Sequence, residues 1–121
     1  MRVRITALLI FVLRLTGGAY ADQVVDGRLG PGALYRMVRP TNWNGSLLLY
    51  AHGFVSASDP VALPPDGDLL ISLFVPRGFA VAFSSFSENG WAVKDGAQRT
   101  HQLLGIFTWK LRRVGISAGE S

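Results

Sequence analysis

A chain of 121 residues suits one small domain or part of a larger one. It contains no cysteine, which excludes a disulfide framework and a thiolate metal site. Of its 12 basic residues, Arg2, Arg4 and Arg14 precede every acidic one, and the remaining 9 face 8 acidic residues from Asp22 onward. The balance of that part is +1, so nothing electrostatic argues for nucleic acid.

Residues 1–21 read as a secretory signal peptide. Arg2 and Arg4 supply the positive start, Ile5 to Leu13 the apolar stretch, and Ala19-Tyr20-Ala21 a small-x-small cleavage site. Cleavage leaves Asp22 as the new amino terminus and a secreted or periplasmic product. The alternative is an uncleaved membrane anchor, but the apolar stretch is too short for a stable span.

Asp22 to Gly32 is polar and glycine-rich, and predicts a loop or a short edge strand. Ala33 to Arg39 alternates, with Leu34, Arg36 and Val38 on one face and Ala33, Tyr35 and Met37 on the other, which predicts a strand ended by Pro40. Asn44-Gly45 offers a tight turn, so this strand is expected to pair antiparallel with the next. That next strand is the unbroken run Leu47-Leu48-Leu49-Tyr50-Ala51, whose continuity suits burial on both faces of a parallel sheet. It ends at His52-Gly53, at the carboxyl edge where open α/β sheets bind ligands.

Val55 to Gly67 carries Pro60, Pro64 and Pro65 and reads as loop. Asp66 or Asp68 then suits the cap of a helix that stops at Pro76 to Gly78. Phe79 to Phe83 is a second continuous apolar run. Strand, helix and strand of these lengths form a right-handed crossover with parallel strands. Ser84 to Gly90 is a polar loop at another strand's carboxyl end, where Ser84, Ser85 and Ser87 could line a pocket but better suit the capping of backbone groups. Val93, Ala97, Thr100, Leu104, Phe107, Leu111 and Val114 then recur at spacings of four and three. They predict one amphipathic helix of about six turns. Asp95 in its first turn and Lys110, Arg112 and Arg113 in its last match the helix dipole.

Asn42-Trp43-Asn44-Gly45 followed by LLLYAHGF, then Arg77 to Ala82, Ser84-Ser85-Phe86 and Asn89 to Val93, resembles the start of a secreted α/β-hydrolase. The likeness covers roughly Gly32 to Arg113. It implies a partial α/β-hydrolase three-layer sandwich, with an antiparallel start followed by a parallel strand–helix–strand unit. It also implies hydrolysis of an ester or related acyl bond by a serine, a histidine base and an orienting acid, with no cofactor and no metal. Such a core needs on the order of 200 residues or more, so residues 22–121 read as the amino-terminal part of one.

In that family the N–H groups just after the HG turn help form the oxyanion hole. The resemblance therefore assigns Gly53 to close approach of the reacting carbonyl and the N–H of Phe54 to oxyanion donation, worth about 3 kcal/mol where such a donor has been removed. The plain alternative is a glycine turn at a strand end. His52 is expected to fix the turn through its ring rather than act as base, because the family's base lies late in the chain. Gly115-Ile116-Ser117-Ala118-Gly119 matches G-x-S-x-G, making Ser117 the candidate nucleophile, although a cationic helix stripe and not a buried strand precedes it. His101 reads as a helix-surface residue, and Trp43 and Trp91 as packing residues. No histidine follows His101, and the only acid after Asp95 is Glu120, so the triad is incomplete and this polypeptide is expected to be inactive. The rival reading is a small secreted non-enzymatic module that binds a partner along an open sheet edge.

Overall fold

The computed structural model describes residues 22–112. Both the signal-peptide segment and Ser117 lie outside the described residues. The fold is a small α/β domain. Four strands, β1 (Gln23–Leu29), β2 (Ala33–Arg39), β3 (Leu47–Tyr50) and β4 (Ala80–Ser84), form one mixed sheet in the order β1-β2-β4-β3. Two helices pack on it, α1 (Asp66–Phe74) and α2 (Val93–Phe107).

β1 and β2 form an antiparallel hairpin around Gly30-Pro31-Gly32. Asp26 stands directly opposite Arg36, and the pair closes a two-pronged bridge of 2.8 and 3.0 Å across the ladder. The Arg36 hydrogen bond holds the Asp26 carboxyl below its ordinary value. Such an exposed pair fixes register more than it stabilises. The expected pairing of β2 with β3 does not occur. β2 is antiparallel to β4, and β4 lies between β2 and β3. The Asn44-Gly45 turn therefore redirects the chain and does not close a hairpin.

β3 and β4 are parallel, with Leu47 to Tyr50 beside Ala80 to Phe83. Both apolar runs were expected to form buried strands, and only the second does so fully. β4 is buried at every residue, whereas β3 is half-buried and is the last strand of the sheet among the described residues. Alternation along the strands feeds two cores. Tyr35, Met37, Ala80 and Ala82 meet Leu103 and Phe107 of α2 on one face, while Val38, Val81 and Phe83 meet Leu70, Ile71 and Phe74 on the α1 side. Gly67 of α1 sits so close to the Phe83 ring that a Cβ there would lie 2.3 Å from it.

Neither Asp66 nor Asp68 caps α1. The N-cap is Pro65, and both carboxylates lie within the first turn, where they suit the positive end of the dipole. Asp66 accepts from the Tyr50 hydroxyl at 3.0 Å, and Asp68 approaches Arg36 at 3.6 Å. The long helix also differs from its expected form. α2 ends at Phe107 and continues as a π-helical segment, Thr108–Arg112, so Lys110 is not in its last α turn. Its buried residues are Gly96, Arg99, Leu103 and Phe107; Phe107 belongs to the expected stripe, whereas Gly96, Arg99 and Leu103 lie one residue before its other members. Val93 and Leu104 are exposed.

Candidate functional site

Parallel strands end on the same side of a sheet, so the carboxyl ends of β3 and β4 bring His52–Phe54 beside Ser84–Ser87. The His52 ring joins the two segments. Its Nε2 lies 2.9 Å from the Ser85 carbonyl oxygen and its Nδ1 2.7 Å from that of Gly53. A neutral imidazole carries one N–H and donates to one of these carbonyls. The ring also stacks on Phe86, with centroids 3.8 Å apart and planes 23° from parallel.

Phe86 is a buried non-glycine residue at φ 61°. That conformation costs on the order of 1–3 kcal/mol and persists only when its surroundings fix it. Here the surroundings are hydroxyls. Ser84 Oγ accepts from the Phe86 N–H at 3.2 Å, and Ser85 Oγ donates to the Phe86 carbonyl at 2.7 Å. Ser85 also bonds Leu34 twice, accepting from its N–H at 2.9 Å and donating its own N–H to the Leu34 carbonyl at 2.8 Å. Ser84 and Ser85 are thus buried backbone clamps, as the sequence suggested, whereas the buried Ser87 hydroxyl caps no backbone group among the described residues. Asp95, in the first turn of α2, accepts from the Ser87 N–H at 2.6 Å and approaches Arg99 Nε at 3.4 Å. That second contact is an ion pair only, since Arg99 Nε makes no hydrogen bond. Gly96 lets α2 approach this loop, because a Cβ there would lie 2.8 Å from the Phe86 ring.

The other wall is looser. Gly90 donates to the Val55 carbonyl at 2.7 Å, and Asn89 Nδ2 to the Asp59 carbonyl at 2.7 Å, tying the two loops together. Gly53 meets nothing within 4 Å of a built Cβ and is not in the left-handed region, so no packing in the described residues demands glycine there. The N–H of Phe54 takes part in no hydrogen bond among the described residues. The Phe54 ring is 60% exposed and tilts 43° against Trp91 at 5.2 Å.

Trp91 is 86% exposed, which corrects the expectation that it packs. Trp43 does pack, edge-on to Phe107 at 5.5 Å with Nε1 donating to the Ser46 carbonyl.

His52, Gly53 and Phe54 open onto a cavity of about 570 Å³ between the strand ends and α2. Leu49, Trp91, Val93, Ala97 and Leu104 contribute its apolar walls, and His101 also lines it. The amino-terminal part of the helix face expected to be core, Val93, Ala97, Thr100 and Leu104, is thus a wall of this cavity, while Phe107 and Leu111 of the same stripe are core as expected. Among the described residues, His52 and His101 are its titratable lining residues, and no carboxylate, lysine or arginine lines it. Among the described residues, no group of three or more His, Asp or Glu could hold a metal ion, and no helix is long and apolar enough to cross a membrane. Sequence reasoning missed the exposed Phe54–Trp91 pair and the strained Phe86. Only the Gly90-Trp91 step, next to a polar loop, hinted at the former.

No family model, no curated protein and no solved structure matches the chain.

Proposed function

We propose that residues 22–121 form the oxyanion-hole part of a serine-type α/β-hydrolase domain acting on ester or related acyl bonds. The observation that carries this reading is the Phe54 N–H. It follows a glycine open to approach, belongs to a residue that lines an apolar cavity at the carboxyl end of a parallel strand, and serves no hydrogen bond within the described residues. Donors held in place before charge develops lower an acyl-transfer barrier because no reorganisation is needed at the moment of reaction. His52, joined to Ser85 and stacked on Phe86, keeps that turn in place.

The antiparallel hairpin, the parallel strand–helix–strand unit and the helices on separate cores also suit a partial three-layer sandwich. Ser84 and Ser85 are engaged by the backbone and are poor nucleophile candidates, and the G-x-S-x-G match keeps Ser117 as the candidate for that role.

The nucleophile needs an adjacent base to lose its proton, and Ser117's own segment holds one acid, Glu120, and no histidine. The purified chain and Ser117→Ala should both match the buffer blank with a p-nitrophenyl ester. Joining residues 22–114 to a hydrolase carboxyl-terminal half with its own strand and elbow should restore turnover. Ester turnover by the unmodified chain that Ser117→Ala removes would instead make GISAGE a working elbow.

We further propose export, from the charged and apolar start and Ala19-Tyr20-Ala21. The secreted product should begin at Asp22 on amino-terminal sequencing, and intact Met1 in a soluble cytoplasmic product would refute it.

The binding-module reading keeps one supporting observation. β3 is an edge strand among the described residues, and edges with free N–H and C=O groups accept added strands. A cooperative melt from a soluble monomer that captures an extended peptide along β3 would favour it.

A further inference from the structure

Resting on the hydrolase reading, we propose that the cavity binds an uncharged acyl compound bearing an aromatic group, its carbonyl oxygen accepting from the Phe54 N–H and its ring lying against Trp91 and Phe54. Three observations select this class. Among the described residues the walls hold no carboxylate, lysine or arginine, so an acid or an amine entering the cavity loses water and finds no permanently charged partner there. The volume of about 570 Å³ lies within the ordinary range for a small-molecule site. Trp91 and Phe54 stand 86% and 60% exposed at 5.2 Å and 43°. That wedge leaves ring faces open to a third ring in the tilted or offset arrangements aromatic groups prefer. Leu49 and Leu104 line the same cavity with aliphatic surface. The aromatic contact and the carbonyl contact meet at one residue, since Phe54 supplies both the ring and the N–H.

Binding is read without turnover by titrating the full ¹⁵N-labelled chain with benzyl methyl ketone, which no hydrolase can cleave. Phenylacetate ion and 2-butanone serve as the charged and ringless comparisons. The ketone should shift the Phe54 amide and the Trp91 indole N–H signals saturably, and bind at least about fivefold more tightly than either comparison. Trp91→Ala should weaken it by a similar factor. Its side chain is exposed, so the variant should keep the far-ultraviolet spectrum of the parent. Trp109→Ala, altering an exposed tryptophan that does not line the cavity, should leave affinity unchanged. Equal affinity for phenylacetate or 2-butanone, an unchanged affinity in Trp91→Ala, or no saturable shift would overturn the assignment. Saturable, Trp91-dependent binding in a chain that stays inactive after completion with a carboxyl-terminal half would uphold the binding site and refute the hydrolase reading. Turnover in the completed chain that ignores the aromatic group would do the reverse.

Discussion

His52 and Ser85 are 33 residues apart in sequence and 2.9 Å apart in space, ring nitrogen to carbonyl oxygen. This contact fastens the turn after β3 to the loop after β4, and both segments line one cavity edge. Replacing His52 by alanine removes the link and the stack on Phe86, and should lower stability by about 1–2 kcal/mol. Amide exchange should quicken at Gly53, Phe54 and Phe86 more than in β1 or α1. An unchanged exchange rate at Phe54 would show that the turn is held by other contacts.

Glycines 53 and 96 should respond oppositely to a side chain. A Cβ at Gly96 lies 2.8 Å from the ring of buried Phe86, so Gly96→Val should destabilise by about 1–3 kcal/mol. Gly53 faces open space, so Gly53→Ala should leave the thermal midpoint nearly unchanged while obstructing a ligand carbonyl at Phe54. Chemical denaturation of the two variants checks the contrast, which would fail if Gly53→Ala were the more damaging.

Tyr50 links the sheet to α1. Burial, and then the hydrogen bond to Asp66, raise its phenol above the ordinary 10.0. A folded value raised above the unfolded one means that the contribution is full below the unfolded value and is lost as pH rises through the folded one. Stability should therefore fall from about pH 10 upward more steeply in the parent than in Tyr50→Phe. Parallel denaturation curves for the two across that range would contradict the raised value.

The strands were legible where the signal was local. Alternation marked β2, and the apolar runs marked β3 and β4 to within a residue. Their order was not, because placing β4 between β2 and β3 is a long-range pairing that the intervening turn residues do not encode. The rotated face of α2 has a physical cause. Its buried side includes Gly96 and Arg99, and neither scores as apolar. Gly96 is buried because Phe86 needs the space, and Arg99 because Asp95 stands beside it. Val93, Ala97 and Leu104 carried the apolar signal and line the cavity instead. Within the site, His52, Gly53 and Phe54 were readable from the HG step at a strand end. The aromatic partner Trp91 depends on a contact between loops more than 30 residues apart, and the strained backbone of Phe86 on the hydroxyl orientations of Ser84 and Ser85, and no spacing rule reports either.

The claim that the Phe54 N–H is an oxyanion donor has a direct measurement. In the chain completed with a carboxyl-terminal hydrolase half, Phe54→Pro deletes the N–H, while Phe54→Ala keeps it and removes only the ring. Steady-state ester hydrolysis should show kcat lowered by about 10²–10³ in the proline variant. The alanine variant should stay within a few-fold of the parent in kcat, with its change confined to KM. Equal kcat for the two variants, with both folded, would contradict the account.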